Sequence, residues 1–175
     1  MVVRISLKIL CALATLLVAG MGMAQAQGPG DTVSSLMKTS LDPAAQKLWK
    51  AVSYVATEQG VTETAPSTDA DWQLLREQAD QLMKAAAVLM LPIVKIAASP
   101  STERPAFQYQ PHEIEELRRQ KLREWRDYVQ QLQLSTQNLA SAIDKKDPEQ
   151  LQELGVPVYR ACEGCHARFW YKPVE

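Results

Sequence analysis

The clearest regularity along the chain is a run of apolar residues spaced alternately three and four positions apart. It comprises Trp72, Leu75, Ala79, Leu82, Ala86, Leu89 and Ile93. This spacing follows the 3.6-residue turn of an α-helix, so it predicts a long helix with one buried face. Pro92 has no amide hydrogen and should kink or end that helix near Leu91.

A similar stripe precedes this helix. Its members are Ala45, Leu48, Val52 and Val55, and steps of four extend it backwards to Leu41 and Met37. Asp42 followed by Pro43 is typical of a helix start. Either one helix bends at Pro43 or a short helix precedes it. The element is predicted to end at Gly60, before a polar connection over residues 62–68.

A third apolar stripe follows the proline-rich segment 99–111, which is the longest predicted loop. Its members are Ile114, Leu117, Leu122, Trp125, Val129, Leu132, Leu139 and Ile143, with Lys121 and Thr136 as interruptions. The opposite face carries charged residues, namely Glu115, Glu116, Arg118, Arg119, Arg123 and Glu124. A charge run of this kind predicts a helix surface that faces solvent.

The last helical signal begins at Asp147-Pro148, which repeats the start signal seen earlier. Gly155 and Pro157 then break the pattern, so the final helix is predicted to run from about Val156 to Trp170. Four helices with short links between the first and second, and between the third and fourth, predict an all-α antiparallel four-helix bundle.

The N-terminal residues have a different character. Arg4 and Lys8 precede an apolar run over 9–19, and small residues at 24 and 26 occupy the positions that a signal peptidase reads. These features predict a secretory signal peptide over 1–26 and export to the periplasm. An uncleaved N-terminal anchor is the alternative that the same features allow.

Cleavage after Ala26 would leave residues 27–175 as one domain and would remove Cys11 with the signal. Without Arg4 and Lys8, 17 basic residues stand against 20 acidic ones, a formal charge of −3. This balance gives no indication of nucleic-acid binding. No long apolar segment remains after cleavage, so no membrane association is expected of the mature chain.

The chemistry is concentrated in Cys162-Glu163-Gly164-Cys165-His166. This is the attachment signature of c-type haem. Positions three and four apart share one face of a helix. Cys162 and Cys165 can therefore both form thioethers with the two vinyl groups of one porphyrin, and His166 can bind the iron as the proximal ligand. The motif predicts one covalent haem c, with its iron.

Other uses of two cysteines fit this sequence less well than haem does. A disulfide would leave His166 without a role. A structural zinc site needs four protein ligands, and beyond these three residues the mature chain offers only the distant His112. A redox dithiol of the thioredoxin kind belongs to a βαβ context, which the helical pattern does not provide.

The layout of signal peptide, four helices and a C-terminal haem motif resembles the cytochrome c′ and cytochrome c-556 group. The likeness is specific over residues 151–169, with Gly155, Val158-Tyr159 and Ala161 to Phe169. It implies a haem held inside a four-helix bundle, and pairing of two copies through the outer helices. The chain departs from many cytochromes c′ at Trp170, where a basic residue commonly follows the proximal histidine by four positions. Arg168 lies two positions after it instead.

The residue opposite His166 decides how such a haem would be used. Methionine as a second axial ligand favours electron transfer, whereas an open position suits small gases. In the cytochrome c-556 branch, a methionine on the first helix supplies that ligand, and Met37 falls in the matching region. The alternative is that Met37 is an ordinary core residue.

Other candidates for the haem surroundings are assigned simpler roles. Met83 and Met90 are expected to pack in the core or at the haem edge, and His112 to lie on the surface beside acidic neighbours. Four aromatic residues are expected on helices that flank the haem, with core packing as the alternative: Trp49, Trp125, Tyr159 and Phe169.

These observations predict a periplasmic monohaem electron carrier rather than an enzyme, with redox proteins of the periplasm as partners. The alternative is a five-coordinate haem protein that binds or scavenges nitric oxide or carbon monoxide. A weaker third interpretation is a subunit of a larger redox enzyme, but the sequence shows no acid–base pair, glycine-rich loop or further metal cluster in support of it.

Overall fold

The computed structural model describes residues 32–97 and 104–173. The predicted signal peptide, 1–26, lies outside the described residues, as do Cys11 and Pro100. The described part of the chain is mostly helical, in agreement with the predicted fold class. Across these two ranges, no helix combines the length and the apolar character that crossing a bilayer requires.

The first helical stretch runs through three parts: α1 (Val33–Leu36), a π-helical turn (Met37–Leu41) and α2 (Asp42–Trp49). Within the π turn, the amide of Asp42 donates to the carbonyl of Met37, five residues back. Pro43 explains the wider turn, because its ring crowds the carbonyl four residues earlier and it has no hydrogen to donate there. The short helix that the sequence allowed before Pro43 is present as α1, and the π turn joins it to α2 without a gap.

The predicted continuation of this helix to Gly60 is wrong. The chain leaves α2 after Trp49 and forms a hairpin of β1 (Ser53–Thr57) and β2 (Gly60–Thr64), paired antiparallel. Val55, assigned to the buried stripe, is 55% exposed. Gly60 has a φ of +126°, which only glycine adopts readily, and so it serves the hairpin turn and not a helix end.

The clearest predicted helix is confirmed. It is α3 (Asp69–Leu89), and Thr68 caps it by accepting from the amide of Asp71. The helix stops before Pro92, as expected, and the predicted stripe is buried from Trp72 through Leu89. Ile93 lies beyond the helix and is 76% exposed, so it does not continue the stripe.

The predicted third helix is divided into α4 (Pro111–Gln120) and α5 (Leu122–Asp144). Lys121 joins them with non-helical torsion angles, φ −118° and ψ 37°. Most of the stripe is buried, but Leu122 beside the break is exposed. The apparent interruption at Thr136 is buried as well, since its hydroxyl donates to the carbonyl of Leu132, 2.8 Å away.

The last helix is longer than predicted. α6 runs unbroken over Pro148–Phe169, with Asp147 as its N-cap, so Gly155 and Pro157 do not end it. Pro157 and Glu153 are both exposed, and the carbonyl that loses its donor to the proline therefore lies on the solvent side of the helix. The helix therefore begins at the Asp147-Pro148 start signal and not at about Val156.

The core lies where α5 packs against both α6 and α3, and α2 closes it against α3. Its largest fully buried side chains include Leu82, Ile96, Leu139, Ile143, Leu151 and Val158. Among the residues that the structure describes, one charged side chain is also buried: Arg118, expected on the solvated face of the third helix, is 6% exposed. That expectation is wrong because the loop after α3 covers this part of α4, and Arg118 donates to the carbonyl of Val94 in that loop at 2.7 Å.

Candidate functional site

Cys162, Cys165 and His166 lie within α6, where their spacing places them on one face of the helix. All three are half-buried, and both thiols are free. The face is held against α5 by aromatic contacts: Phe169 packs edge-on against Trp125, with ring centroids 5.2 Å apart, and against Tyr128 at 6.2 Å. Packing against α5 therefore holds the second half of α6 in place.

The two thiols are in an environment that disfavours charge. Burial, with smaller effects from Glu163 and Asp42, raises the pKa of Cys162 to about 11. Burial and the nearby Cys162 raise the pKa of Cys165 to about 12. Both side chains are therefore protonated thiols at neutral pH, unlike the low-pKa thiolates of reactive redox cysteines.

Burial also lowers the pKa of His166, and the charges of Glu163 and Asp42 oppose this shift without reversing it. The neutral imidazole is the form that binds a metal. Trp170, four residues on, lies beside the ring with centroids 6.1 Å apart. The guanidinium of Arg104 stands over Trp170 at 4.4 Å, so a cation from another segment lies near the position where the sequence lacks a basic residue.

One cavity of about 270 Å³ receives all three of these side chains. From the first helical stretch, Met37, Leu41 and Ala45 line the same cavity. The structure therefore brings Met37 and His166 to a common space, from elements far apart in sequence. Apolar residues of α3 and α5 form much of the remaining wall: Leu82, Leu89, Val129 and Leu132.

The polar part of the lining is acidic. Asp42 and Glu163 are its charged members, and Gln46 is a neutral one. Gln46 Nε2 lies 3.5 Å from Asp42 Oδ1. A redox centre in this cavity would therefore be close to two negative charges. Across residues 32–97 and 104–173, no three Cys, His, Asp or Glu side chains form a group that could hold a metal ion by themselves.

The other predicted haem neighbours divide into two sets. Trp49 and Tyr159 line the cavity and pack edge-on with centroids 5.8 Å apart. Trp125 and Phe169 do not line it and belong to the core, which was the alternative considered for them. Met83, Met90 and His112 also lie outside the lining, and His112 is exposed as expected.

Sequence reasoning missed Tyr128, which lines the cavity and lies beside the turn of α6 that carries Gly164. A Cβ added at Gly164 would come within 2.9 Å of the Tyr128 ring, so the ring occupies the space that a side chain at 164 would need. The signal was weak but present, since Tyr128 lies four residues before Leu132 at the edge of the apolar stripe.

Trp49 and Tyr159 also line a second, shallower cavity of about 200 Å³, which lies between α2 and α6. The indole Nε1 of Trp49 donates to the carbonyl of Gly155 at 3.3 Å. This bond ties the end of α2 to the middle of α6. The two aromatic side chains thus form the wall between the two cavities.

No protein-family model, curated protein or solved structure matches this chain.

Proposed function

We propose that this chain is a monohaem c-type cytochrome that carries electrons, with haem bound through Cys162, Cys165 and His166 and with Met37 as the second axial ligand. One observation supports the proposal above the others. Two thiols, an imidazole and a thioether from two distant segments line a single, largely apolar cavity. This donor set fits a covalently held haem better than it fits a disulfide or a zinc ion, for which the thioether would have no use.

Cys162 and Cys165 would hold the haem through two thioether bonds. Each bond would form by addition of one Sγ–H across one vinyl double bond, which balances without an oxidant. Burial raises the pKa of both thiols further above neutrality, so both are protonated in the folded chain. His166 supplies a neutral nitrogen, since burial lowers its pKa.

When bound, the haem supplies a reversible one-electron change at iron. The chain's part would be to exclude water and to hold the side chains of His166 and Met37 in the same position in either oxidation state. Leu82, Leu89 and Leu132 line the cavity with apolar surface that excludes water. Phe169 packs against Trp125 and Tyr128, and this packing restrains the turn of α6 that carries His166.

The proposal includes an antiparallel four-helix bundle made of the stretch 33–49, α3, α5 and α6. It also includes export of the chain through the segment 1–26, and a redox protein of the periplasm as partner. The packing of α5 against α3 and α6, and of α2 against α3, supports the bundle. The pattern of Arg4, Lys8 and the apolar run supports export.

The decisive experiment is expression of the full chain in a bacterium that has the c-type haem attachment machinery. After denaturing electrophoresis, haem staining should coincide with the wild-type chain, because thioether bonds survive unfolding. The double variant Cys162→Ala, Cys165→Ala should lose the stain completely, whereas Met83→Ala should keep it. A wild-type chain that is exported and folded but carries no covalent haem would overturn the proposal.

The spectrum of the purified protein then separates electron transfer from gas binding. Ligation by histidine and methionine predicts low-spin iron and a weak oxidised band near ~695 nm. High-spin iron that binds carbon monoxide readily would instead favour the gas-binding function. In that case Met37 would be a core residue of the cavity wall.

A further inference from the structure

The segment that follows α3 is held from two sides. Val94 and Ile96 are buried in it although they belong to no helix or strand. One side of the segment contacts α4 and the other contacts the beginning of α1. We call residues 94–96 the anchor segment.

Arg118 secures the anchor segment from the α4 side. Its Nη1 donates to the carbonyl of Val94 at 2.7 Å, and its Nη2 pairs with Oε1 of Glu115. The other carboxylate oxygen of Glu115 accepts from the amide of Ile96 at 3.2 Å. The guanidinium also lies over the ring of Trp125, 5.6 Å from its centroid. One ion pair, between the buried Arg118 and the partly exposed Glu115, thus engages both ends of the anchor segment.

The anchor segment in turn holds the start of α1. The amide of Val33 donates to the carbonyl of Lys95, and the amide of Ser34 to that of Ile96, each at 2.9 Å. Amides in the first turn of a helix have no partner within the helix. The anchor segment supplies these partners, while Thr32 accepts from the amide of Ser35.

We infer that Arg118 is a positioning residue for Met37, acting through the anchor segment and α1. This inference rests on the proposed role of Met37 at the iron. α1 is the first turn of the continuous helical stretch 33–49, and Met37 follows it directly. The carbonyl groups of the anchor segment hold this N-terminal end of the stretch, and Arg118 holds those carbonyl groups in position.

Arg119 provides a matched comparison on the same helix. It also pairs with a glutamate three residues earlier, Glu116, but its side chain is 76% exposed. An exposed pair of this kind adds little to stability, whereas removal of the buried Arg118 guanidinium leaves the carbonyl of the buried Val94 without its donor. Arg118→Met and Arg119→Met thus make the same chemical change, but only Arg118→Met should disturb the anchor segment.

The first measurement is hydrogen exchange of the Val33, Ser34 and Ile96 amides in the holoprotein. Arg118→Met should accelerate exchange at these sites by roughly tenfold to a hundredfold, given the usual strength of hydrogen bonds to charged groups. Arg119→Met should leave the exchange unchanged. Unaltered protection of these amides in Arg118→Met would overturn the inference, because α1 would then be held without the ion pair.

The second measurement is the fraction of iron that is high-spin and binds carbon monoxide. This fraction should rise in Arg118→Met while haem staining stays at the wild-type level. If exchange accelerates but neither Arg118→Met nor Met37→Ala alters the spectrum, the proposed ligation by Met37 fails and with it the inferred consequence of Arg118. If Met37→Ala opens the iron but Arg118→Met leaves both exchange and spectrum unchanged, the inference fails alone.

A milder variant covers the case in which Arg118→Met does not fold. Glu115→Gln keeps the side-chain volume but leaves one acceptor oxygen for two donors, Arg118 and the amide of Ile96. Its control is Glu116→Gln, the same change at the exposed pair. Faster exchange at Val33 and Ser34 in Glu115→Gln but not in Glu116→Gln supports the inference, and equal exchange in the two variants overturns it.

Discussion

Two walls of the cavity, one formed by α6 and one by the first helical stretch, are built in different ways. The α6 wall presents Cys162, Cys165 and His166 from one face of a single long helix. The wall formed by the first helical stretch presents Met37 from a π turn, after a helix of four residues. Local helix geometry positions the first set. Hydrogen bonds from segments distant in sequence position the second, namely those of Lys95 and Ile96 with α1 and that of Gly155 with Trp49.

Because the two walls are held by different contacts, attachment of the proposed haem and the state of its iron can change separately. In the proposed cytochrome, covalent attachment and proximal ligation would depend mainly on α6 and its packing against α5, so they should survive changes elsewhere. The opposite side of the proposed iron site would depend on contacts at several places in the fold. Substitutions in the first helical stretch should therefore alter the state of the iron while the haem stays attached.

Met37→Ala tests this separation most directly and has the largest expected effect. The protein should change from low-spin to high-spin, bind carbon monoxide or nitric oxide, and show a lower reduction potential, because the thioether sulfur that favours Fe(II) is gone. Absorption spectra and a potentiometric titration measure these changes, and haem staining should remain at the wild-type level.

Met90→Ala is the control for Met37→Ala. Met90 is half-buried at the end of α3 and lies outside the cavity lining, so its loss should cost only packing energy, roughly 1–2 kcal/mol. If Met90→Ala made the iron high-spin and Met37→Ala did not, the assignment of Met37 as the residue opposite His166 would be wrong.

Gly164→Ala tests the packing of the α6 wall. The new Cβ would meet the Tyr128 ring at 2.9 Å, and moving the ring should lower the free energy of unfolding by about 1–3 kcal/mol. Urea unfolding of the holoprotein measures the change. The matched substitution is Gly155→Ala, whose Cβ would lie 3.5 Å from Trp49. In a helix interior that change should be neutral or stabilise by up to about 1 kcal/mol.

A double variant with Tyr128→Ala identifies the cause of the Gly164→Ala effect. If the ring is responsible, Gly164→Ala should cost almost nothing when Tyr128 is already alanine. An equal loss of stability in both backgrounds would show that contact with Tyr128 is not the reason.

Asp42→Asn tests the electrostatics of the Met37 wall, with a smaller effect. Asp42 lines the cavity and contributes to raising the pKa of Cys162, so its negative charge acts there. A negative charge near the iron stabilises Fe(III), and its removal should raise the midpoint potential by on the order of tens of mV. Asp144→Asn, at the far end of α5, should leave the potential unchanged. Equal shifts in the two variants would contradict a local effect.

Glu124→Gln should have the smallest effect and should depend on pH. The hydrogen bond from Arg168, at 2.6 Å, holds the pKa of the Glu124 carboxyl below its usual value. A lowered pKa in the folded state adds stability above the ordinary glutamate pKa of about 4.3, and this stability is lost as the pH falls further.

The stability of Glu124→Gln should therefore be slightly below wild type at neutral pH, and the difference should shrink on acidification below about pH 4. Thermal unfolding over a pH series measures it. Glu153→Gln, an exposed change on α6, should show no such trend. A difference that grows on acidification would have the wrong sign for this ion pair.

The sequence predicted those features that depend on residues close together in the chain. The stripe from Trp72 to Leu89 and the spacing of Cys162, Cys165 and His166 are properties of single helices, and the structure has them as helices. The chemistry proposed for the cysteine motif stays a prediction, as does ligation by Met37. The structure adds that Met37 reaches the cavity that His166 reaches.

The errors occurred where tertiary contacts overrule a local pattern. Val52 and Val55 continue a helical period, yet they are also good strand residues, and Gly60 allows the hairpin turn that follows. Arg118 lies in a charged run, but a loop distant in sequence covers it. Pro157 indicated a helix end, although its loss of one hydrogen bond is tolerated on the exposed side of a long helix.

In chain order, α6 comes after every other segment that lines the cavity. When the chain emerges from its N-terminal end, the stretch 33–49, α3 and α5 therefore become available before the cysteines do. α6 supplies six residues of the lining: Tyr159, Ala161, Cys162, Glu163, Cys165 and His166. The cavity therefore has no wall on this side until the last helix docks. In the proposed cytochrome, the haem would have access to the cavity before that step.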